Sequence, residues 1–221
     1  MSKTIELKKK VLSENDALAA ELRATLGEKG IFSLNFVSSP GSGKTSLLER
    51  TLRELKDELN ITLVAGDVQT ENDANRLIAA GGEQVKPLVT GGSCHLDARM
   101  IHRLLPEINL DNTDLFIVEN VGNLVCPSGY DLGEDMKVVL ISVTEGDDKP
   151  LKYPSMFRRS SVMVINKIDM LELCDFSMER VRENALRING DLKIFETSCR
   201  TGEGLEEWYA WLKEQVKQKK A

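Results

Sequence analysis

Residues 31–37, Ile-Phe-Ser-Leu-Asn-Phe-Val, form an apolar, β-prone run that stops abruptly at Ser38-Ser39-Pro40-Gly41-Ser42-Gly43-Lys44-Thr45. Ser46-Leu47-Leu48-Glu49-Arg50 then opens a helical pattern. Strand, loop of small residues, helix is the order in which backbone N–H groups at a helix N-terminus can receive a phosphate chain. Gly41 and Gly43 let the loop curl around phosphates, because glycine tolerates positive φ and presents no Cβ. Pro40, Ser42 and Ser46 complete the stretch expected to line the nucleotide. Lys44 is expected to reach the β/γ oxygens and the Thr45 hydroxyl to hold Mg²⁺. The motif G-x-x-x-x-G-K-[ST] has Ser38 where its first glycine belongs, but the G-x-G-K-T core is intact. A plain Gly/Ser turn with a surface lysine is the alternative, and the strand before and helix after argue against it.

At 221 residues the chain suits one α/β domain with a full core and a short extension. Residues 12–29 read as an amphipathic helix with Leu12, Leu18, Leu22 and Leu26 on one face, Ser13 as its N-cap and Gly27 or Gly30 at its end. Residues 1–30 are thus expected to form a helical extension packed on a nucleotide-binding domain spanning 31–221, with Lys8–Lys10 as its solvated start. Further strands are expected at 61–65, 85–89, 114–119, 136–143, 161–166 and 191–196, and helices from about 73, over 95–105, and at the end. Leu205, Trp208, Tyr209, Leu212 and Val216 share one face of that closing helix, and the basic tail beyond it is expected to fray. Short apolar strands alternating with helices imply a mostly parallel sheet covered on both faces. The net charge of −6 argues against a nucleic-acid partner. No apolar run approaches bilayer-spanning length, and no apolar signal core follows Met1. A cytoplasmic protein with no membrane contact is the expectation.

Asn166-Lys167-Ile168-Asp169 follows the apolar run Val162–Ile165. An aspartate at that place can accept hydrogen bonds from both N1–H and the exocyclic amine of guanine, a pair that adenine cannot offer. A buried carboxylate left unpaired would penalise the wrong base. Asn166 can brace the purine and the loop, and the Lys167 stem can cover the base. Ser198, Cys199 and Arg200 lie in a segment resembling the loop that completes a guanine pocket. The reading is GTP/GDP rather than ATP.

Glu119 is a carboxylate at a strand end, where such folds place a Mg²⁺ ligand, and Gly122 is expected to offer its N–H to the γ-phosphate. Asp67 is the other carboxylate aimed at Mg²⁺ or the attacking water. Lys44, Thr45, Asp67 and Glu119 are therefore the expected catalytic set. The residue after Gly122 is Asn123, not a water-orienting glutamine, so slow intrinsic hydrolysis is expected.

The four cysteines, Cys94, Cys126, Cys174 and Cys199, show neither C-x-x-C spacing nor a dense framework, so free thiols or metal ligands are favoured over disulfides. Cys94 and His95 stand side by side at an expected helix start, and Cys126 falls in the loop after Glu119. Thiolate and imidazole suit Zn²⁺ or Ni²⁺ and match Mg²⁺ poorly. A helix N-terminus would lower the Cys94 pKa. Spacing leaves two readings open: a metal site, or two buried cysteines acting as small hydrophobes beside a surface histidine.

Ser38–Thr45, Gly66-Asp67-Val68-Gln69-Thr70, Cys94-His95-Leu96-Asp97-Ala98, Glu119–Pro127 and Asn166–Asp169 together resemble the HypB family of hydrogenase maturation GTPases, from about residue 31 onward. The resemblance implies a three-layer P-loop NTPase of the SIMIBI type that delivers nickel to the [NiFe]-hydrogenase large-subunit precursor. It implies Cys94, His95 and Cys126 as Ni²⁺ or Zn²⁺ ligands at or near a homodimer interface, and other nickel-delivery factors as partners. Some members carry an N-terminal cysteine motif or a histidine-rich stretch; residues 1–30 contain neither residue, so no tight or storage site is expected there. Urease-type nickel GTPases are similar but carry Cys-Pro-His, whereas Ser128 follows Cys126-Pro127 here.

Overall fold

The computed structural model describes residues 3–221, with side chains from Leu12 onward. Lys8–Lys10 therefore lie outside the side chains described. Seven strands, β1 (Phe32–Ser38), β2 (Ile61–Asp67), β3 (Gln84–Val89), β4 (Leu115–Glu119), β5 (Met136–Ser142), β6 (Val162–Asn166) and β7 (Lys193–Thr197), form one sheet in the order β3-β2-β4-β1-β5-β6-β7. Every pairing is parallel. The central strands carry apolar residues on both faces because both faces are covered, as parallel sheets require.

On one face lie α2 (Lys44–Leu55), α3 (Asn72–Ala79) and α8 (Leu205–Lys220), packed through Leu47, Leu52, Leu77, Trp208 and Leu212 onto Leu34, Phe36 and Leu140. On the other, α1 (Lys3–Glu28) and α4 (Ala98–Leu104) bury Leu22, Leu26 and Ile101 against Phe116 and Val118. Beside them α5 (Lys149–Lys152), α6 (Pro154–Arg159) and α7 (Met178–Ile188) continue that layer, with Met156, Phe157 and Val181 on Val139 and Ile165. The result is three layers with a mostly apolar sheet in the middle, the P-loop NTPase architecture.

Three local expectations are corrected. The first helix begins well before Ser13, which lies inside it and is no cap. It ends in a Schellman arrangement, with Gly30 at φ +66°, Ile31 N donating to Leu26 O at 3.0 Å and Gly30 N to Gly27 O at 3.0 Å. The basic tail does not fray: α8 runs to Lys220, because Lys219 Nζ meets Asp135 Oδ1 at 2.6 Å and Lys220 pairs with Asp114. The segment expected as one helix over 95–105 is helical only from Ala98, where the Asp97 side chain accepts from Met100 N at 2.8 Å. Among the described residues no helix is long and apolar enough to cross a membrane.

β1 lies between β4 and β5, so the chain leaves it toward opposite edges of the sheet at this point. In open parallel sheets that reversal, at the carboxyl ends of the strands, leaves a crevice. The loops after β1, β2, β4 and β6 open into it.

Candidate functional site

The loop after β1 closes on itself before α2 starts. Gly41 (φ +76°) and Gly43 (φ +102°) take the left-handed conformation. Ser42 Oγ donates to Ser39 O at 2.8 Å, and Leu47 N donates to Gly43 O at 3.0 Å to begin the helix. A Cβ on Gly43 would stand 2.3 Å from Asn166 Nδ2, so the position excludes other residues on two grounds. Ser38, in the place of the motif's first glycine, is buried and accepts from Lys44 Nζ at 2.9 Å. The departure from the motif thus parks the lysine. Burial lowers the Lys44 pKa, with Glu119 the main charge pulling it back.

Glu119 lies between β1 and β2, opposite Phe36 and Ala65. Its Oε1 accepts from Thr45 Oγ1 at 2.6 Å, and its Oε2 is buried with no hydrogen-bond partner. Desolvation pushes the carboxyl up to about 7 despite the opposing pull of Lys44 and Thr45. A buried, unpartnered carboxylate oxygen beside a threonine hydroxyl fits a hard divalent cation. Asp67 faces the same cleft, of about 490 Å³, but its Oδ1 caps its own loop, accepting from Gln69 N and Thr70 N at 2.8 Å each. Burial raises its pKa, but the hydrogen-bond donors of its own loop together outweigh that, for a net fall. Gly122 sits on the phosphate loop, where an added Cβ would stand 3.1 Å from Pro40 Cα.

The loop after β6 reaches back to the same glycines. Asn166 Nδ2 donates to Ser42 O at 3.0 Å and Lys167 Nζ to Gly41 O at 2.7 Å. Lys167 is the only non-glycine at positive φ among the described residues (φ +62°), a conformation held by that bond and by Asn166. Asp169 accepts from Ser198 Oγ at 2.6 Å, and its other oxygen faces Arg200 Nε at 2.9 Å. The Ser198 hydrogen bond, then Arg200, lower its pKa, so it is an acceptor at neutral pH. Cys199 lies beneath, with Sγ 3.5 Å from Asn166 Oδ1 and its thiol pushed up to about 11 by burial, so it stays protonated. Asn166, Asp169, Cys199 and Arg200 line a second hollow of about 390 Å³ continuous with Gly43.

Cys94 and His95 from the loop before α4 meet Cys126 from the loop after β4, their donor atoms all within 4.8 Å of one another. The two sulfurs are 2.7 Å apart and Cys94 Sγ is 3.9 Å from His95 Nδ1. Two thiols and an imidazole make a borderline-soft set suited to Ni²⁺ or Zn²⁺. The expected helix N-terminus at Cys94 is absent, and its pKa is raised, not lowered: the Cys126 thiol beside it is the first cause. Burial lowers the His95 pKa, favouring the neutral, ligating imidazole. Asn123, which stands where a water-orienting glutamine would be, donates from Nδ2 to Cys94 O at 3.2 Å. Cys174 packs among Met170, Leu171 and Phe176, and His102 is exposed, so neither joins the cluster.

The profile of the CobW/HypB/UreG nucleotide-binding domain matches residues 33–196. The hydrogenase maturation factor HypB of Rhizobium leguminosarum bv. viciae is 51% identical over 94% of this chain and 69% of its own length. The chain belongs to the HypB family. The crystal structure of HypB from Archaeoglobus fulgidus superposes with a TM-score of 0.85 at 41% identity, covering 92% of this chain and 99% of that one. That of Helicobacter pylori HypB in complex with nickel gives 0.86 at 42%, covering 93% and 96%. Both agree with the P-loop GTPase fold read here.

Sequence reasoning missed four residues that this HypB-family chain brings to the sites. Lys149 Nζ donates to Ser39 Oγ at 3.1 Å across the phosphate loop. Arg76 holds Ser46 Oγ at 3.2 Å while paired with Glu49 at 2.8 Å. Tyr130 stacks on His95, ring centroids 4.0 Å apart, and Asn120 accepts from Leu96 N at 3.1 Å. Only Tyr130, an aromatic shortly after Cys126, carried a local signal; the others are long-range contacts.

Proposed function

We propose that this chain is a Mg²⁺-dependent GTPase that binds nickel, or zinc in its place, at Cys94, His95 and Cys126 and assists nickel insertion into a [NiFe]-hydrogenase large-subunit precursor. The family and the nickel-bound relative support this reading. The observation that carries it is that the loop between Glu119 and Cys126 lines the phosphate cleft at one end and supplies a soft ligand at the other.

In this reading, the phosphate-loop amides of Gly41–Ser46 and Lys44 bind the β and γ phosphates, with Lys44 released from Ser38 as it turns to them. Thr45 and Glu119 would hold Mg²⁺, and Asp67 would serve as a further ligand or orient the attacking water. That cation would neutralise charge developing on the phosphates. Asp169 pairs with the guanine edge, Arg200 withdrawing to free its second oxygen, while Asn166 and Lys167 keep the phosphate loop braced. Gly122 N–H turns to the γ-phosphate and orders the loop as far as Cys126. Hydrolysis is slow, below about 1 s⁻¹ without a partner, because Asn123 is engaged with Cys94 and no glutamine orients water. The two thiols and the imidazole leave a coordination position free for transfer, as a homodimer mate or an acceptor would need. The setting is cytoplasmic, with other nickel-delivery factors as partners.

The test is titration of the purified protein with Ni²⁺ and Zn²⁺ in GDP and GTP-analogue states while oligomeric state is followed. Nickel should bind one site per chain, with an affinity that depends on the nucleotide. Binding that survives unchanged in a Cys94→Ala/Cys126→Ala double variant would refute the assigned ligands, and equal affinity in both states would refute the coupling.

A further inference from the structure

Two asparagines that take no part in the chemistry above stand buried between the two sites. Asn35, in the middle of β1, and Asn120, immediately after Glu119, are 0% and 1% exposed. Asn120 Oδ1 faces two backbone donors, Leu96 N at 3.1 Å and Val121 N at 2.9 Å, which fixes the amide orientation. Its Nδ2 therefore points to Asn35 Oδ1 at 3.2 Å, and Asn35 Nδ2 to Glu134 Oε1 at 3.1 Å. Glu134 is in turn 3.3 Å from Lys137 Nζ, and Lys137 donates to Tyr130 O at 3.0 Å. Both charged side chains are almost fully buried. The Tyr130 ring closes the path by lying on the His95 imidazole at 25° between planes.

We propose that Asn35 and Asn120 are positioning residues for the metal site, linking the Glu119 end of β4 to His95 from two sides: through the Leu96 N–H, and through Glu134, Lys137 and the Tyr130 ring. This rests on the reading that Cys94, His95 and Cys126 bind nickel. A flip of either asparagine amide would leave two donors or two acceptors facing each other in the buried interior, so each keeps one set of partners. A shift of Glu119 toward a cation is passed to Asn120 by the next peptide bond and thence to the residue adjoining His95. Such an interior transmits small displacements because it is close-packed. Continuity alone is not coupling; the decisive quantity is whether both sites bias the same element.

The measurement is the Ni²⁺ dissociation constant of the full chain at saturating GDP and at saturating GTP analogue, both with Mg²⁺, together with the nickel X-ray absorption signature of imidazole. In the wild type the two constants should differ by about fivefold or more, the usual lower range for coupled sites. Asn35→Leu and Asn120→Ala should bring the ratio to within about twofold of unity, below that coupling range. Tyr130→Ala should weaken the imidazole signature and reduce the ratio, and Tyr130→Phe, which keeps the stack, should restore both. Tyr130 is half-buried, so this pair decides the matter even where an asparagine variant fails to fold. A wild-type ratio of one overturns the nucleotide–metal linkage and the relay with it. A normal ratio that survives in Asn35→Leu or, should that variant not fold, in Tyr130→Ala overturns the relay alone.

Discussion

Glu119 concentrates the chemistry of the cleft in one side chain. Its carboxyl, moved from 4.5 to about 7 by burial, holds a proton in the folded protein that the unfolded chain has already lost within that window. Stability of the protein free of Mg²⁺ and nucleotide therefore falls as pH rises from about 4.5 to 7, by up to ~3 kcal/mol, and is level above. Glu119→Gln should remove that slope, leaving the variant more stable than wild type at pH 8, as urea unfolding in a chelator would read. In the proposed site Mg²⁺ would compete with the same proton, so apparent Mg²⁺ affinity should rise with pH up to about 7 and fail in the variant. Gly43→Ala tests the other side of the cleft. Its Cβ would collide with Asn166, and its φ of +102° would be strained, so a cost of roughly 1–3 kcal/mol in stability is expected, with loss of nucleotide binding. Calorimetric unfolding alongside a fluorescent-nucleotide titration checks both.

Among the elements, α8 shows how a local pattern and a long-range contact divide the work. The apolar stripe Leu205, Trp208, Leu212 and Val216 was legible because it has helical period, and all four are buried. What Trp208 meets was not legible: its ring stands edge-on to Phe36 and Phe195, and Nε1 donates to Thr51 Oγ1 at 3.0 Å on α2. Trp208→Ala should cost about 3–5 kcal/mol by chemical denaturation, as large core aromatics do. The Lys219 and Lys220 pairs that hold the last turn are surface contacts, so a Lys219→Ala/Lys220→Ala variant should lose no more than about 1–2 kcal/mol from two such pairs. That tail was misread because nothing local in Lys217-Gln218-Lys219-Lys220 announces Asp114 and Asp135, both of them distant in sequence. The Cys94 segment was misread for the converse reason: its composition suits a helix start, but Asp97 is the residue that caps.

For the whole molecule, ligand linkage gives the broadest test of the guanine reading. A nucleotide bound only by the native state at a hundredfold its dissociation constant adds about 2.7 kcal/mol, or roughly 5–10 °C in Tm for a chain of this size. GDP and GTP with Mg²⁺ should produce that shift and ATP should not. Asp169→Asn should abolish it while leaving the unliganded Tm nearly unchanged; a shift of equal size with ATP would refute guanine selection.

The residue order alone carried the strand–loop–helix, the alternation that demands a covered parallel sheet and the N-K-x-D segment. Each is a short-range consequence of side-chain chemistry or backbone freedom. The tertiary structure alone decided who meets whom. Inserting β4 between β2 and β1 sets Glu119 on Thr45, brings Cys126 to Cys94, and draws Asn120 onto Leu96. Placing β5 and β6 on the other side of β1 lets Asn166 and Lys167 grip the phosphate loop from there. Strand order is fixed by how apolar faces and crossovers pack together, a property of the assembled layers that no periodicity within one segment records.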